Sequence, residues 1–420
     1  MDENALNAVS MNRDLSWLQF NARVLEEALD ASHPLVERMR FIGIHSNNLD
    51  EFYRVRYAQL LHEGSADLIH AIDEEVALQS AVADKELSAL MEAMNQVQVM
   101  NLQPDALSKA QRVFIVNHYV TAVSPMIEVI DLASDRAMPE LKDSWTYLAV
   151  TMAFNDHNRA KAYALIAVPS SLLGRVVLVP TKQGKSYMFL DDVIRVNLAH
   201  ILKSYQADSY QSHAFKISRD ANLESDRERF GKTSLEQLRE NLEGRKMGQP
   251  VRMVHDKDMP LALRNRIVKS LAINREGRVF SGGTYHSKRD LMHFPDLEMP
   301  SMVHPPQVPL PHPDFQQPGS ITKVVRSKDV LLMTPYQRFQ HVVDWLRESA
   351  MDPAVKRISM TLYRVDKRSG VIQALTLAAR NGKQVKVVIE LQARFNESHN
   401  LTVVTALRKA GVDVIMGQSG

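Results

Sequence analysis

Arg364 comes directly after the run RISMTLY, and Arg394 lies just past VKVVIEL, two short segments rich in β-branched residues. If both runs are strands of one parallel α/β sheet, the two guanidiniums meet at its carboxyl edge, where ligands of such sheets bind. A guanidinium offers a planar fork of donors that grips phosphate oxygens in pairs, which a lysine ammonium does less well. The chemistry this suggests is recognition of a phosphorylated ligand. The plain alternative is two loop arginines paired with local carboxylates such as Asp366 or Glu397, and position alone leaves both open. Nine basic residues against two acidic ones between Lys356 and Arg394 suit either a polyanion site or a solvated rim.

Other candidates are weaker on local grounds. Ser46-Asn47-Asn48-Leu49-Asp50-Glu51 has the form of a helix start, with Asn48 as N-cap and Glu51 closing a capping box. Helix starts attract anions, but Asp50 and Glu51 already occupy that positive end, so plain capping is the local reading. His286-Ser287-Lys288 has the His-x-Lys form of phospholipase D-like nucleophiles, yet Asp290 follows too soon and the motif precedes the alternating α/β region. It is set aside as a decoy. No histidine pair has zinc-ligand spacing, and no glycine-rich loop follows a strand as a P-loop would. Zero cysteines exclude disulfides and thiolate chemistry and fit a reducing compartment. The N-terminus lacks a signal peptide's basic and apolar regions, and no apolar run is long enough to span a membrane. A cytoplasmic protein is expected. A net charge of +2 supplies no global pull on nucleic acid, and none is expected as a partner.

The elements that position these residues fall into three regions. Residues 12 to about 130 read as helical, from Trp17, Phe20, Val24 and Ala28 at helical spacing to long periodic stretches from about Ile72 and from Pro104. From Trp145 the runs WTYLAVTMAF, AKAYALIAVP and RVVLVPT read as strands, mixed with helical patterns at DDVIRVNLAHIL, SLEQLRENLEG and PLALRNRIVKSLAI. Eight prolines between Pro295 and Pro318 make an extended linker. Beyond it, strand and helix alternate: Val330–Met333, a helix started by Thr334-Pro335, RISMTLY, a helix from Ser369, VKVVIEL, a helix stopped by Gly411, then VDVIM. A parallel sheet covered on both faces is predicted. The fold class is therefore multidomain α and α+β. It comprises a helical domain (1–110), an α+β head domain ending in the linker (111–315), and the first part of an α/β domain with a largely parallel sheet (316–420). The end of the chain just past a strand suggests truncation.

NRDLSWLQFNARVLEEA, PLVERMRFIGIHSNNLDEFYRVR, LYRV around Arg364 and VVIELQARFNE around Arg394 together resemble bacterial polyphosphate kinase of the first type. The resemblance runs from about Asn12 to Gly420 and is looser in the middle. It implies an N-terminal helical domain, a head domain used in homo-oligomer formation, and a truncated phospholipase D-like third domain. It also implies reversible transfer of the terminal phosphate of ATP to inorganic polyphosphate through a phosphohistidine. By position, Asn48 matches a nucleotide-contacting asparagine, and Arg364 and Arg394 match two arginines of the phosphate and Mg²⁺ site. A guanidinium cannot ligate Mg²⁺, which takes oxygen donors, so the arginines would hold the phosphates that carry the metal. The nucleophilic histidine would follow Gly420, so this chain alone is expected to be inactive. A non-catalytic module binding nucleotide or polyanion and dimerising is the alternative, and a phospholipase D-like hydrolase is disfavoured by the SNNLDEF segment.

Overall fold

The structure, a computed structural model, describes residues 12–132, 139–156, 158–220, 248–273, 278–316, 319–366, 368–390 and 397–417. The chain divides into two compact units. The first holds the described residues up to Asp220 together with Gly248–His304, and the second runs from Pro305 onward.

The first unit opens with three helices, α1 (Arg13–Leu29), α2 (Leu35–Phe52) and α3 (Ala66–Gln96). Asn12 caps α1 by accepting from the Asp14 amide at 2.9 Å. Arg56 then grips both Asp14 oxygens, Nε at 2.9 Å and Nη2 at 2.8 Å, tying the start of α1 to the π-type turn Tyr53–Tyr57 that follows α2. These hydrogen bonds hold the Asp14 carboxyl below its ordinary range. Leu18, Leu25 and Ala28 of α1 and Val36, Met39 and Ile42 of α2 are buried at helical spacing. Gly43 lets α2 seat against the tight turn Lys288–His293, because a Cβ there would lie 2.3 Å from the Met292 backbone nitrogen.

The expected helix start at Asn48 is overturned. α2 runs unbroken from Leu35 to Phe52, so Asn48 lies inside its last turns and caps nothing. Tertiary packing overrides the local signal, since Leu49, Asp50 and Phe52 are all buried where α2 meets its neighbours. The helix expected from Pro104 is likewise delayed. Pro104–Ala106 is a 3-10 turn, and α4 (Lys109–His118) starts after Ser108, whose hydroxyl and backbone N–H exchange hydrogen bonds with Gln111 in a capping box.

The strands that follow are β1 (Val99–Asn101), β2 (Glu128–Asp131), β3 (Thr146–Ala153), β4 (Ala162–Ala167), β5 (Val176–Leu178), β6 (Lys185–Phe189), β7 (Ser209–Arg219), β8 (Pro250–Asp256) and β9 (Val279–Gly282). A small sheet has the order β1-β6-β5, and a six-stranded sheet has the order β2-β4-β3-β7-β8-β9. All pairs of the larger sheet are antiparallel except β8–β9, whose parallel pairing is made by a crossover through helix α5 (Leu261–Ser270). Strand β3 is buried on both sides. Leu148, Val150 and Met152 pack with Ile115 and Ile194, while Tyr147 and Ala149 pack with Leu263 and Ile267 of α5. The segment SLEQLRENLEG lies outside the described residues.

Lys216 of β7 and Asp50 of α2 form a buried ion pair at 2.5 Å, with side chains 4% and 3% exposed. Burial pushes the Lys216 ammonium down, and the adjacent Asp50 carboxylate pushes it back. Beside this pair, Arg54 bridges Glu51 at 3.2 Å and Asp143 at 2.8 Å.

In the second unit, α6 (Gln340–Met351), β10 (Arg357–Leu362), α7 (Gly370–Arg380), β11 (Gln384–Ile389), α8 (Glu397–Lys409) and β12 (Asp413–Met416) alternate, and the strands pair in parallel in the order β10-β11-β12. Two expectations need correction. Val330–Met333 is not a strand. Its neighbourhood pairs with the proline-rich segment, Leu310 donating to the Tyr336 carbonyl at 2.8 Å, and Leu331 and Met333 are exposed. The helix starts at Gln340, so Tyr336 and Phe339 lie outside it while Val343, Leu346 and Ala350 pack inward. Among the described residues the sheet is also covered on one face only. Ile358, Leu362, Val385, Val387 and Ile389 enter the core, whereas Arg357, Ser359, Thr361, Gln384 and Lys386 are exposed. RISMTL and QVKVVI alternate apolar with polar, the pattern of a one-sided sheet. Among the described residues no helix is long and apolar enough to cross a membrane.

The Glu51 carboxyl yields a stability prediction. Burial, with help from Asp50 and Asp143, pushes it from 4.5 up to about 7 despite Arg54. An acid whose folded pKa is raised keeps its proton in the fold while the unfolded chain releases it. Stability attributable to Glu51 is therefore fullest below pH 4.5 and declines as pH rises to about 7. Glu51→Gln should remove that decline, making the variant more stable than wild type at pH 8 by on the order of 2 kcal/mol. Urea midpoints of both proteins at pH 4.5 and pH 8 check this, and equal pH slopes would contradict it.

Candidate functional site

In the second unit, parallel register pairs Leu362 with Ile389, so β10 and β11 end level. Arg364 leaves this carboxyl edge two residues beyond β10, exposed, with its guanidinium carbon 5.3 Å from the centre of the Tyr363 ring. Arg394 lies outside the described residues. The edge is braced from α8 by Asn400, which is fully buried. Its Nδ2 donates to the Tyr363 carbonyl at 3.0 Å and to the Glu390 carbonyl at 2.8 Å, the residues that immediately follow the two strands. Gly417, after β12, donates its N–H to the Ile389 carbonyl at 2.8 Å at the same edge. Arg364 is thus presented by a backbone whose exit angle is held on both sides, the condition for a site of fixed geometry.

Asn48 belongs to the first unit. It is half-buried on α2, and its Nδ2 donates to Asn21 Oδ1 at 3.0 Å, while Asn21 in turn donates to the His45 carbonyl at 3.2 Å. This amide relay holds the side chain with its nitrogen engaged, leaving Oδ1 to accept from a ligand's N–H or O–H. An acceptor suits an amino group or a sugar hydroxyl better than a phosphate. Asp50 faces elsewhere, committed to Lys216.

The His286-Ser287-Lys288 segment is spent on structure. His286 is buried with Nε2 3.2 Å from Asp256, and burial pushes its imidazole down, favouring the neutral form. Lys288 pairs with Asp84 at 2.7 Å, and the Ser287 carbonyl accepts from Arg175. Among the described residues no three His, Cys, Asp or Glu side chains cluster as metal ligands would.

Three domain profiles match the chain in order: polyphosphate kinase N-terminal domain over residues 10–114, polyphosphate kinase middle domain over 110–294, and polyphosphate kinase C-terminal domain 1 over 320–420. The chain belongs to the polyphosphate kinase family. It is 35% identical to a polyphosphate kinase of Yersinia pestis, a match covering 97% of this chain and 61% of that protein. With the polyphosphate kinase of Escherichia coli K12 the identity is 36%, covering 98% and 62%. The crystal structure of polyphosphate kinase from Porphyromonas gingivalis superposes with a TM-score of 0.81 at 28% identity, covering 98% of this chain and 59% of that one. The chain therefore spans about three fifths of the length of these polyphosphate kinases.

Sequence reasoning missed Asn400 and Lys216, for different reasons. Asn400 sits among polar residues early in α8, and its role exists only once register has brought two carbonyls together, so no spacing marks it. Lys216 did carry a signal, since a lone lysine amid the apolar run of HAFKISR demands a partner. Asn400→Ala would leave the Tyr363 and Glu390 carbonyls without their donor, at about 1–3 kcal/mol of local stability. Asn400→Asp should be worse near neutral pH, because a carboxylate would face two carbonyl oxygens. Hydrogen exchange should quicken at 360–364 and 388–390 in both variants while 146–153 stays unchanged; unaltered exchange at the strand ends would refute the brace.

Proposed function

We propose that the enzyme carrying this chain is a polyphosphate kinase in activity as well as in family, moving the terminal phosphate of ATP reversibly onto inorganic polyphosphate. The observation that carries this reading is Arg364 at the carboxyl edge of a parallel sheet, with that edge braced by Asn400. A braced guanidinium grips phosphate oxygens in its own plane and meets the charge that develops on a phosphoryl group in transfer. Arg394 is proposed as the second clamp, from its place after the neighbouring strand. Asn48 is proposed to accept a hydrogen bond from the base or ribose of the nucleotide. Neither arginine can ligate magnesium, so Mg²⁺ would enter with the phosphates, shielding charge while the guanidiniums orient the oxygens.

In this reading the phosphoryl acceptor is a histidine beyond residue 420. Its ring nitrogen attacks the γ-phosphorus, the bond to the bridging oxygen breaks and ADP leaves. A terminal polyphosphate oxygen then takes the phosphoryl group and frees the nitrogen. The second unit is proposed to be the first part of a phospholipase D-like domain, and residues 111–315 a head domain through which copies of the enzyme associate.

The test uses the enzyme with γ-labelled ATP and magnesium, scoring acid-insoluble polyphosphate. Arg364→Ala should lower kcat/KM by about 100-fold or more, and Arg364→Lys by nearly as much, because the charge survives but the fork does not. A lysine variant keeping most of the activity would show that charge alone suffices. Absence of polyphosphate product from the wild type would overturn the reading.

A further inference from the structure

The first unit holds a cavity of about 220 Å³ where α2, α3 and the β7-β8-β9 side of the large sheet meet. That is below the roughly 300–1,000 Å³ of sites for nucleotide- or drug-sized ligands and ample for a small ion. Three cations line it: Lys216, Lys288 and Arg252. Lys216 is committed to Asp50 and Lys288 to Asp84, so both pairs are neutral together. Arg252, on β8, differs. It is 9% exposed, and its guanidinium is stacked between two aromatic rings, 4.0 Å from the centre of Tyr53 and 5.1 Å from that of Phe280.

Ring contacts occupy the faces of a guanidinium and leave the N–H donors of its edge to be satisfied in plane. Among the described residues nothing satisfies them. Nε is buried without an acceptor, and no carboxylate oxygen lies within 4.0 Å of the Arg252 nitrogens. Asp73, the remaining acid of the cavity, instead accepts from the Tyr57 hydroxyl at 3.0 Å. Arg252 acts on the Asp73 carboxyl only at longer range, opposing the rise that burial gives it, and a buried guanidinium whose edge donors lack in-plane oxygens is costly. Tyr53 reaches Arg252 from the π-type turn after α2, an irregularity that recurs at functional sites. Gly283 adds no side chain to the wall, where a Cβ would lie 3.0 Å from Asp84 Oδ1.

We propose that this cavity binds a single tetrahedral oxyanion of the phosphate or sulfate class, held bidentately by the stacked edge of Arg252. Its volume suits a single small oxyanion, and its lining belongs entirely to the first unit. The bound ion would join α2 and its π-type turn to β8 and β9, so occupancy should tighten that joint and make stability respond to phosphate concentration.

The test titrates inorganic phosphate, and in parallel sulfate, into the 420-residue chain, with potassium chloride holding ionic strength constant. Both oxyanions should slow hydrogen exchange saturably in 53–57, 250–256 and 279–282, while chloride should not. Arg252→Met, which keeps the stacked bulk, should weaken phosphate binding at least tenfold. If that variant fails to fold by near-ultraviolet circular dichroism, Arg252→Lys carries the comparison and should also bind at least tenfold more weakly, for want of the fork. The proposal is overturned if the wild type shows no saturable protection, if chloride protects equally, or if a folded Arg252 variant binds phosphate as well as the wild type.

Discussion

The first unit turns on one buried ion pair. Lys216 and Asp50 stand 166 residues apart in sequence and meet at 2.5 Å with almost no exposure. Two charges taken out of water cost several kcal/mol each unless they meet well, so neither can be present without the other, and removing one would cost about 3–5 kcal/mol. The pair also sets the rotation of α2. At 3.6 residues per turn, Asn48 lies about 200° round the helix from Asp50. Turning Asp50 toward β7 therefore turns Asn48 toward α1, where Asn21 receives it. The position of the proposed nucleotide contact is thus a consequence of an ion pair on the other side of the helix.

That dependence explains what could and could not be read in advance. Periodicity marked the long helices, the strands β3 and β4 and the alternation of the second unit, because each reflects which residues meet a core. Ser46–Glu51 has every local mark of a helix start, and the marks mislead because Asp50 pairs with Lys216 of β7 and Glu51 with Arg54 rather than with a helix end. Val330–Met333 is an apolar run, yet among the described residues it pairs with no strand. Of the proposed site, Arg364 and Asn48 were legible as positions. The brace at Asn400 was not, since it depends on register, and Arg394 lies outside the described residues.

Parallel pairing does for the second unit what the ion pair does for the first. Because β10 and β11 end level, loops that leave them must start from one edge, and a single side chain can fix both exits. Asn400 uses one amide nitrogen for two carbonyls, and as a fully buried residue it makes those bonds where water does not compete. The sheet's exposed face carries Arg357 and Lys386, so positive charge continues from the face to the edge where Arg364 stands. Such a distribution favours polyanions through the field as well as through contact.

Of the arginines to which phosphate chemistry is ascribed, Arg364 and Arg252 differ in how water reaches them, and this separates their roles. Arg364 is exposed, with a guanidinium whose attraction extends into solvent and is screened over about 8 Å at physiological ionic strength. A site of that kind can capture a long, highly charged chain quickly and release it quickly. Arg252 is nine-tenths buried between two rings, where screening is slight and a ligand must shed its water to enter. Such a site would exchange slowly, select by size and hydrogen-bond geometry, and transmit occupancy to the elements it joins. The phosphate grip proposed at Arg364 and the oxyanion pocket proposed at Arg252 thus differ in the burial of a single guanidinium.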